Sequence, residues 1–210
     1  MKLVFLSDLL SEMFHDYLDR LSTQDCGFVA VESVLWGGKE ITGRKMRQMV
    51  FNINSQHAKI SEVIPGLFVS GVCALTPTII ATNNIEMIIN TTEEVPNVKS
   101  LGKVDYLKLS LKDAPDANAY SHFNEVCDRV ETGISAGKNV LIHSVQGVSR
   151  CATFCLAYIM KAHSKSLKDA YELLKPKRAM VKINEGFWKQ LIAFERVRLV
   201  PSHHSVSDLS

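Results

Sequence analysis

Apolar and polar positions follow two different patterns between residues 62 and 199, and each pattern predicts one kind of secondary structure. Short apolar runs bounded by turn residues predict buried strands at 85–92, 104–111 and 139–144. The Pro65-Gly66 turn predicts a strand pair on its two sides. Apolar residues at helical spacing predict helices at 76–83, 119–135, 148–162, 166–175 and 184–199. Strands that alternate with helices indicate an α/β domain with a partly parallel sheet.

Three of the predicted helices begin with residues that favour a helix start. Pro77 lies in the first turn of the helix at 76–83, where its missing N–H is not needed. Ser166 is a suitable cap residue with Asp169 three residues later, and Asn184 is a suitable cap for the last helix. The helix at 148–162 is apolar around most of its surface, which predicts that it is the most buried of the five.

The first 60 residues show no comparable alternation. The amphipathic stretch at 3–21 predicts a helix that packs on its own domain or, alternatively, binds a partner. Residues 28–36 suit either a strand or a helix. The stretch "GRKMRQMV" at 43–50 loosely resembles a kinase-docking segment, although a solvated helix face is the commoner meaning of such a run. We therefore expect a partly helical N-terminal extension at 1–60, one domain at 61–198 and a flexible tail at 199–210.

Composition narrows the classes of function. The 210 residues are 46% hydrophobic and have a formal net charge of +2, which fits a globular domain without a broad nucleic-acid footprint. The five cysteines are odd in number and irregular in spacing, which favours thiols in the cytoplasm or nucleus over a disulfide framework or a zinc site. Asp8 and Glu12 interrupt the apolar start, so we expect no signal peptide, and no run of 18 apolar residues predicts a membrane span.

The strongest candidate chemistry lies between the strand at 139–143 and the helix that follows it. Gly147 allows the connecting loop, 144–149, to curl tightly, and such a loop directs several backbone N–H groups toward one point at the start of a helix. The helix dipole adds positive potential there. Arg150 offers a planar pair of donors for two oxygens of a phosphate. The sequence therefore predicts a cradle for a dianion.

Four motifs resemble those of one family in order and spacing. The stretch "HSVQGVSR" at 143–150 is similar to the cysteine-phosphatase signature of histidine, cysteine, five residues and arginine, with serine in place of cysteine. Residues 112–123 resemble the general-acid segment of dual-specificity phosphatases. Residues 60–76 and 170–191 resemble the entry and closing segments of the small atypical dual-specificity group. The resemblance covers residues 60–197 and implies a protein tyrosine phosphatase-like three-layer sandwich with a mixed, mostly parallel sheet between helices.

The resemblance also implies roles for individual residues. Ser144 would stand at the position of the nucleophile, and His143 would tune that position from behind. Asp113 would be the general acid, with Asp116 as a nearby substitute, and Asn184 would support the loop. The phosphate-binding residues would be those of the loop and the arginine after it, namely Val145, Gln146, Gly147, Val148, Ser149 and Arg150. The family implies no metal and no organic cofactor.

Serine at position 144 changes the expected chemistry. A cysteine at a helix N-terminus reaches a pKa of roughly 3.5–7.5, but the same electrostatics cannot ionise a serine hydroxyl. Serine needs a general base, and His143 is badly placed because neighbouring side chains of a strand point to opposite faces. Cys151 stands where the family usually has a hydroxyl residue, and we expect it to be a packing residue rather than a relocated nucleophile.

Three hypotheses for the function follow. The first is a pseudophosphatase that binds phosphotyrosine or phosphothreonine in a partner protein without cleaving it. The second is an active protein phosphatase, represented by a substrate-trapping form in which serine replaces the catalytic cysteine. The third is a signalling scaffold whose pocket is a relic and whose partner, a kinase for example, binds the N-terminal extension.

Overall fold

The computed structural model describes residues 29–31, 49–51 and 59–199. The seven strands in these residues are β1 Val29–Val31, β2 Met49–Phe51, β3 Ser61–Ile64, β4 Leu67–Ser70, β5 Ile85–Asn90, β6 Asp105–Lys108 and β7 Asn139–His143. The α-helices are α1 Pro77–Thr82, α2 Phe123–Ser135, α3 Arg150–Ala162, α4 Leu167–Lys177 and α5 Glu185–Leu199. Short 3-10 turns lie at Val72–Ala74, Lys99–Leu101 and Tyr120–His122.

Five of the strands form one mixed sheet with the order β3-β4-β7-β5-β6. Strand β3 pairs antiparallel with β4 across the predicted Pro65-Gly66 turn, and the β4–β7, β7–β5 and β5–β6 pairs are parallel. Strand β7 is therefore the central strand. Because the carboxyl ends of parallel strands meet at one edge of a sheet, the loops after β4, β5, β6 and β7 converge there.

The sheet is covered on both faces, which makes a three-layer sandwich. Along β7, Val140 and Ile142 belong to one hydrophobic cluster and Leu141 belongs to the other, as the period of two in a strand requires. The larger cluster includes residues of α2, α3, α4 and α5, and the smaller one includes Ile80 of α1. Helix α3 is buried from Arg150 to Met160, which confirms the prediction that it is the most buried helix.

Most predicted elements are present with shorter bounds. The run at 104–111 gives a four-residue strand, β6, and its last apolar residues, Leu109 and Leu111, are buried after the strand has ended. The helix predicted at 119–135 starts with a 3-10 turn before α2. The Ser166 hydroxyl accepts a hydrogen bond from Asp169 N at 3.1 Å, and Asn184 Oδ1 accepts one from Phe187 N at 2.9 Å, so both predicted caps are in place.

Most of the N-terminal extension and the tail lie outside the described residues. The predicted helix at 3–21 is among these, and so is residue 200 onward. Of 28–36, the described residues Val29–Val31 form a strand, which pairs antiparallel with Met49–Phe51. Met49 and Val50, the last two residues of the basic segment, are therefore extended rather than helical. Across residues 29–31, 49–51 and 59–199, no helix has the length and apolar character needed to cross a membrane.

Candidate functional site

The loop at 144–149 lies at the carboxyl end of the central strand and leads directly into α3. The carboxyl ends of the two neighbouring strands hold its start. Ser144 N donates to O of Ser70, the last residue of β4, at 3.2 Å, and the hydroxyl of Thr91, directly after β5, donates to His143 O at 2.8 Å. The convergence of parallel strands thus places the loop at a fixed position on the edge of the sheet.

Backbone carbonyls of the loop are held from outside. The outer donors are Val72 N to Val145 O at 3.0 Å, Arg178 Nε to Gly147 O at 2.5 Å and Lys182 N to Val148 O at 2.9 Å. In a trans peptide the carbonyl and the following N–H point in opposite directions, so the N–H groups of residues 146, 148 and 149 face the inside of the loop. No described residue accepts a hydrogen bond from these three N–H groups. They form a set of unpaired donors at the start of a helix, as an anion site requires.

Gly147 is required by both conformation and space. Its φ is +71°, in the left-handed region that favours glycine. A Cβ atom on this residue would lie 2.3 Å from Arg178 Nη2 and 2.4 Å from Gly71 N. A side chain would therefore force the loop away from the groups that hold it.

Arg150 is buried, and one end of its guanidinium group is fixed. Its Nη1 donates to a carboxylate oxygen of Glu94 at 2.6 Å and to Leu111 O at 2.9 Å. Its Nε is buried without a hydrogen-bond partner among the described residues and lies 3.8 Å from a carboxylate oxygen of Asp113. A buried donor without an acceptor is costly, so a ligand oxygen beside Nε would be stabilising.

Glu94 was not among the residues singled out from the sequence. Burial raises the pKa of this carboxyl group, but the hydrogen bond from Arg150 and the attraction of its positive charge outweigh burial, and the net shift is downward. Glu94 therefore stays ionised and neutralises much of the charge of Arg150. Its position after β5, at the edge where the parallel strands end, is the signal that could have identified it.

Asp113 is tied to the loop by its side chain. Its Oδ1 accepts hydrogen bonds from the Ser149 hydroxyl at 2.7 Å and from Asn184 Nδ2 at 2.9 Å. Asn184 was predicted to support the loop, and its hydrogen bond reaches the loop through Asp113, which also accepts from Ser149. Asp116 makes no hydrogen bond or ion pair with Arg150 or with the loop among the described residues.

Ser144 is buried, with 2% of its surface exposed. Its hydroxyl donates to Cys151 Sγ at 3.3 Å and accepts from Gly147 N at 3.1 Å. Cys151 has no exposed surface, and burial raises the pKa of its thiol. The contact between these two side chains was not foreseen, because Cys151 was expected only to fill space in the helix.

His143 is buried beneath the loop with 1% of its surface exposed. Its Nδ1 has no hydrogen-bond partner among the described residues. Burial, followed by the charges of Lys108 and Arg150, lowers the pKa of His143 to about 3, so the ring is neutral at neutral pH. No hydrogen bond joins the ring to the Ser144 hydroxyl in the part of the chain that the structure describes.

Arg178 supports the loop from below and was also missed as a site residue. Its side chain is almost fully buried, and it donates to Gly147 O as described above. It lies directly after α4, at the C-cap of that helix. No local sequence pattern links Arg178 to the loop at 144–149, because the two are far apart in the chain.

Other features of the described residues offer no second site. No group of three or more potential metal ligands occurs within 29–31, 49–51 and 59–199. An open depression of about 510 Å³ between β6 and α2 is lined by Tyr106, Leu107, Glu125, Asp128, Arg129 and Thr132, and none of the predicted site residues borders it.

The sandwich and the loop at the end of its central strand define the protein tyrosine phosphatase-like class of fold. The family model for the dual specificity phosphatase catalytic domain matches residues 67–197. Human dual specificity protein phosphatase 21 is 40% identical over 136 residues, which are 64% of this chain and 71% of that protein. The chain belongs to the dual specificity phosphatase family, which confirms the predicted family; membership of its small atypical group stays a prediction.

Solved structures agree with the fold. Human DUSP28 superposes with a TM-score of 0.64 at 27% identity, covering 67% of this chain and 95% of that one. A human tyrosine phosphatase-like serine/threonine/tyrosine-interacting protein superposes with a TM-score of 0.61 at 28% identity, covering 67% of this chain and 98% of that one. The predicted fold class is therefore confirmed.

Proposed function

We propose that this protein is a pseudophosphatase, which binds a phosphate monoester on a phosphorylated protein and does not cleave it. One observation supports this more than any other. The Ser144 hydroxyl, at the position that the family resemblance gives to the nucleophile, already donates to Cys151 and accepts from Gly147. Both contacts stabilise the loop, and neither partner can remove the proton of the hydroxyl.

The other candidate groups are also unsuited to activating Ser144. The His143 ring is neutral, but it has no contact with the hydroxyl among the described residues. The Asp113 carboxylate accepts from Ser149 and Asn184. The Cys151 thiol is buried with a raised pKa, so it is neither a thiolate nor accessible to a substrate. A serine without a base is a poor nucleophile.

The groups that would bind a phosphate are nevertheless all present. Three inward-facing N–H groups of the loop have no protein acceptor among the described residues, and the start of α3 adds positive potential. The buried Nε of Arg150 also has no acceptor there. The proposed phosphate-binding residues are 145–150, with Asp113 and His143 as neighbours of the bound group.

The names of two similar proteins support the proposal. One similar protein is called a dual specificity phosphatase, and one similar structure is called a tyrosine phosphatase-like interacting protein. We propose phosphotyrosine or phosphothreonine proteins as partners. A kinase that binds at 43–50 is a further proposed partner, and deletion of residues 1–58 should then abolish its capture.

The proposed location is the cytoplasm or nucleus, where the buried thiols of Cys127, Cys151 and Cys155 would remain reduced.

Calorimetry with tungstate, a tetrahedral dianion of the shape of phosphate, tests the binding half of the proposal. We expect saturable binding to the full chain, its loss in Arg150→Met, and no loss in the control Arg129→Met, which changes an exposed arginine on α2. A phosphotyrosine peptide and a phosphothreonine peptide should compete with tungstate. Absence of binding to the unaltered chain would refute the proposal.

Hydrolysis of a small aryl phosphate tests the other half. We expect no turnover by the unaltered chain above that of Arg150→Met. Turnover that Arg150→Met abolishes would show that the protein is an enzyme as it stands.

An active phosphatase represented by a trapping form is the second candidate. The retained contacts of Asp113 with Ser149 and of Arg150 with Leu111 favour it, because a single change at position 144 would leave them intact. Sequencing the natural gene at codon 144 separates the two, since this candidate requires a cysteine codon there.

A further inference from the structure

The Arg178 side chain lies beneath the loop at 144–149 with 1% of its surface exposed. Its Nε donates to Gly147 O at 2.5 Å. Its Nη1 donates to Lys59 O at 2.8 Å and to the Ser61 hydroxyl at 3.2 Å. One planar group thus joins the loop to the first residues of the domain.

The hydrogen bond to Gly147 fixes the direction of one peptide group. With the Gly147 carbonyl turned down to Arg178, the N–H of Val148 in the same peptide plane must point up into the loop. The backbone of Gly147 does little to prevent rotation of this peptide group, because glycine can occupy both signs of φ. Without an outside partner, this peptide could turn over and present its carbonyl to the anion.

The neighbouring peptides are held in a different way. The carbonyls of Val145 and Val148 accept from the backbone N–H groups of Val72 and Lys182. A backbone donor is independent of the side chain at its position. Of the three inward-facing N–H groups, that of Val148 is therefore the one whose direction depends on a side chain. That side chain belongs to Arg178.

We propose that Arg178 is a positioning residue of the anion site, which directs the Val148 N–H at the bound phosphate without touching it. This inference rests on the proposed binding of a phosphate group at residues 145–150. Arg178 also links the anion site to the start of the domain, because the same guanidinium group donates to Lys59 and Ser61. Movement of the chain at 59–61 would then change the affinity for the anion.

Arg178→Lys is the variant that tests the role. Lysine keeps the charge, but its single ammonium group cannot reproduce the fork that reaches Gly147 and Lys59 together. We expect tungstate to bind about tenfold more weakly, as when one charge-assisted hydrogen bond is lost. The matched control is Arg198→Lys, which changes a partly buried arginine that donates to Lys161 O far from the loop.

Amide NMR distinguishes positioning from a general loss of structure. On addition of tungstate to the unaltered chain, the amide signals of Gln146, Val148 and Ser149 should all shift. In Arg178→Lys the shift of Val148 should be lost or reversed, while those of Gln146 and Ser149 persist. A general loss of structure would instead weaken the three shifts together.

The outcomes separate the two proposals. If tungstate moves none of the three amides in the unaltered chain, the proposed phosphate site is wrong. If all three move and Arg178→Lys leaves both affinity and the Val148 shift unchanged, the role of Arg178 is refuted. Should Arg178→Lys fail to fold, Arg178→Gln decides, since its side chain has one NH2 donor group and cannot hold Gly147 and Lys59 together; an unchanged Val148 shift in that variant also refutes the role.

Discussion

The Ser144 hydroxyl donates a hydrogen bond to the Cys151 thiol across 3.3 Å, between the start of the loop and the first turn of α3. Both side chains are buried, so water does not compete for this contact. The sulfur atom of the site therefore lies on the helix, and the oxygen atom lies on the loop. A cysteine introduced at position 144 would place a second sulfur beside the first.

We predict that Ser144→Cys hydrolyses a small aryl phosphate but is readily inactivated by peroxide. The helix start and Arg150 should lower the pKa of the new thiol and make it a nucleophile. Peroxide would oxidise this thiolate to a sulfenic acid, which would condense with the Cys151 thiol to a disulfide and release water. The measurement is turnover before and after brief exposure to peroxide, followed by reduction with dithiothreitol.

Two further variants assign the effect to Cys151. Ser144→Cys combined with Cys151→Ser should keep the activity and no longer form the disulfide. A second equivalent of peroxide should then oxidise the unprotected sulfenic acid to a sulfinic acid, which dithiothreitol does not reduce, so activity should not return. Ser144→Cys combined with Cys155→Ser should behave like the single variant, because Cys155 lies one turn further along α3. If dithiothreitol restored the same fraction of turnover in the single variant and in both double variants, a disulfide to Cys151 would be contradicted.

Glu94 should weaken anion binding through its charge while it holds Arg150 in place. Glu94→Gln keeps an oxygen acceptor for Arg150 Nη1 and removes one negative charge near the bound dianion. We expect tungstate to bind more tightly by roughly 1 kcal/mol, or about fivefold, because Glu94 is partly exposed and solvent screens its charge. Calorimetry at low and high salt measures both the gain and its screening.

The neighbouring carboxylate provides the control for Glu94. Glu93 is exposed and makes no contact with Arg150 in the described part of the chain. Glu93→Gln should change the affinity for tungstate by less than Glu94→Gln does. Weaker binding by Glu94→Gln would mean that holding the guanidinium group matters more than the charge.

The sequence predicted the elements of the domain because their signals are local. The period of apolar residues, the Pro65-Gly66 turn and the caps at Ser166 and Asn184 each depend on a few adjacent positions. The family motifs also identified Asp113 and Arg150, and the structure places them 3.8 Å apart at the end of the sheet. Their proximity depends on the topology, because Asp113 lies in the loop after β6, whereas Arg150 begins α3 after β7.

The supporting residues could not be predicted in the same way. Glu94 is 56 positions from Arg150, and Arg178 is 31 positions from Gly147, so no local pattern joins either pair. Each contact exists only because parallel strands bring their ends together or because a turn after α4 returns beneath the loop. A buried arginine also violates the usual preference for exposed charge, so composition gives no hint of it.

His143 should make the stability of the domain fall in mild acid. Its pKa is about 3 in the folded protein and about 6.5 in an unfolded chain, because burial and the charges of Lys108 and Arg150 disfavour the protonated ring. Between these two values the unfolded state binds a proton that the folded state excludes. The free energy of unfolding should therefore decrease by about 1.4 kcal/mol per pH unit below about pH 6.5, and this cost is absent above it.

Urea unfolding at pH 7, 6 and 5 measures this slope in the unaltered chain and in His143→Asn. Asparagine keeps a polar group near the position of Nδ1 but has no titration in this range, so the variant should lose about 2 kcal/mol less than the unaltered chain between pH 7 and 5. The slopes are compared rather than the absolute stabilities, since the substitution itself shifts stability at every pH. His163→Gln, at an exposed position after α3, should leave the slope unchanged. An unchanged slope in His143→Asn would show that the buried ring accepts a proton in the folded protein.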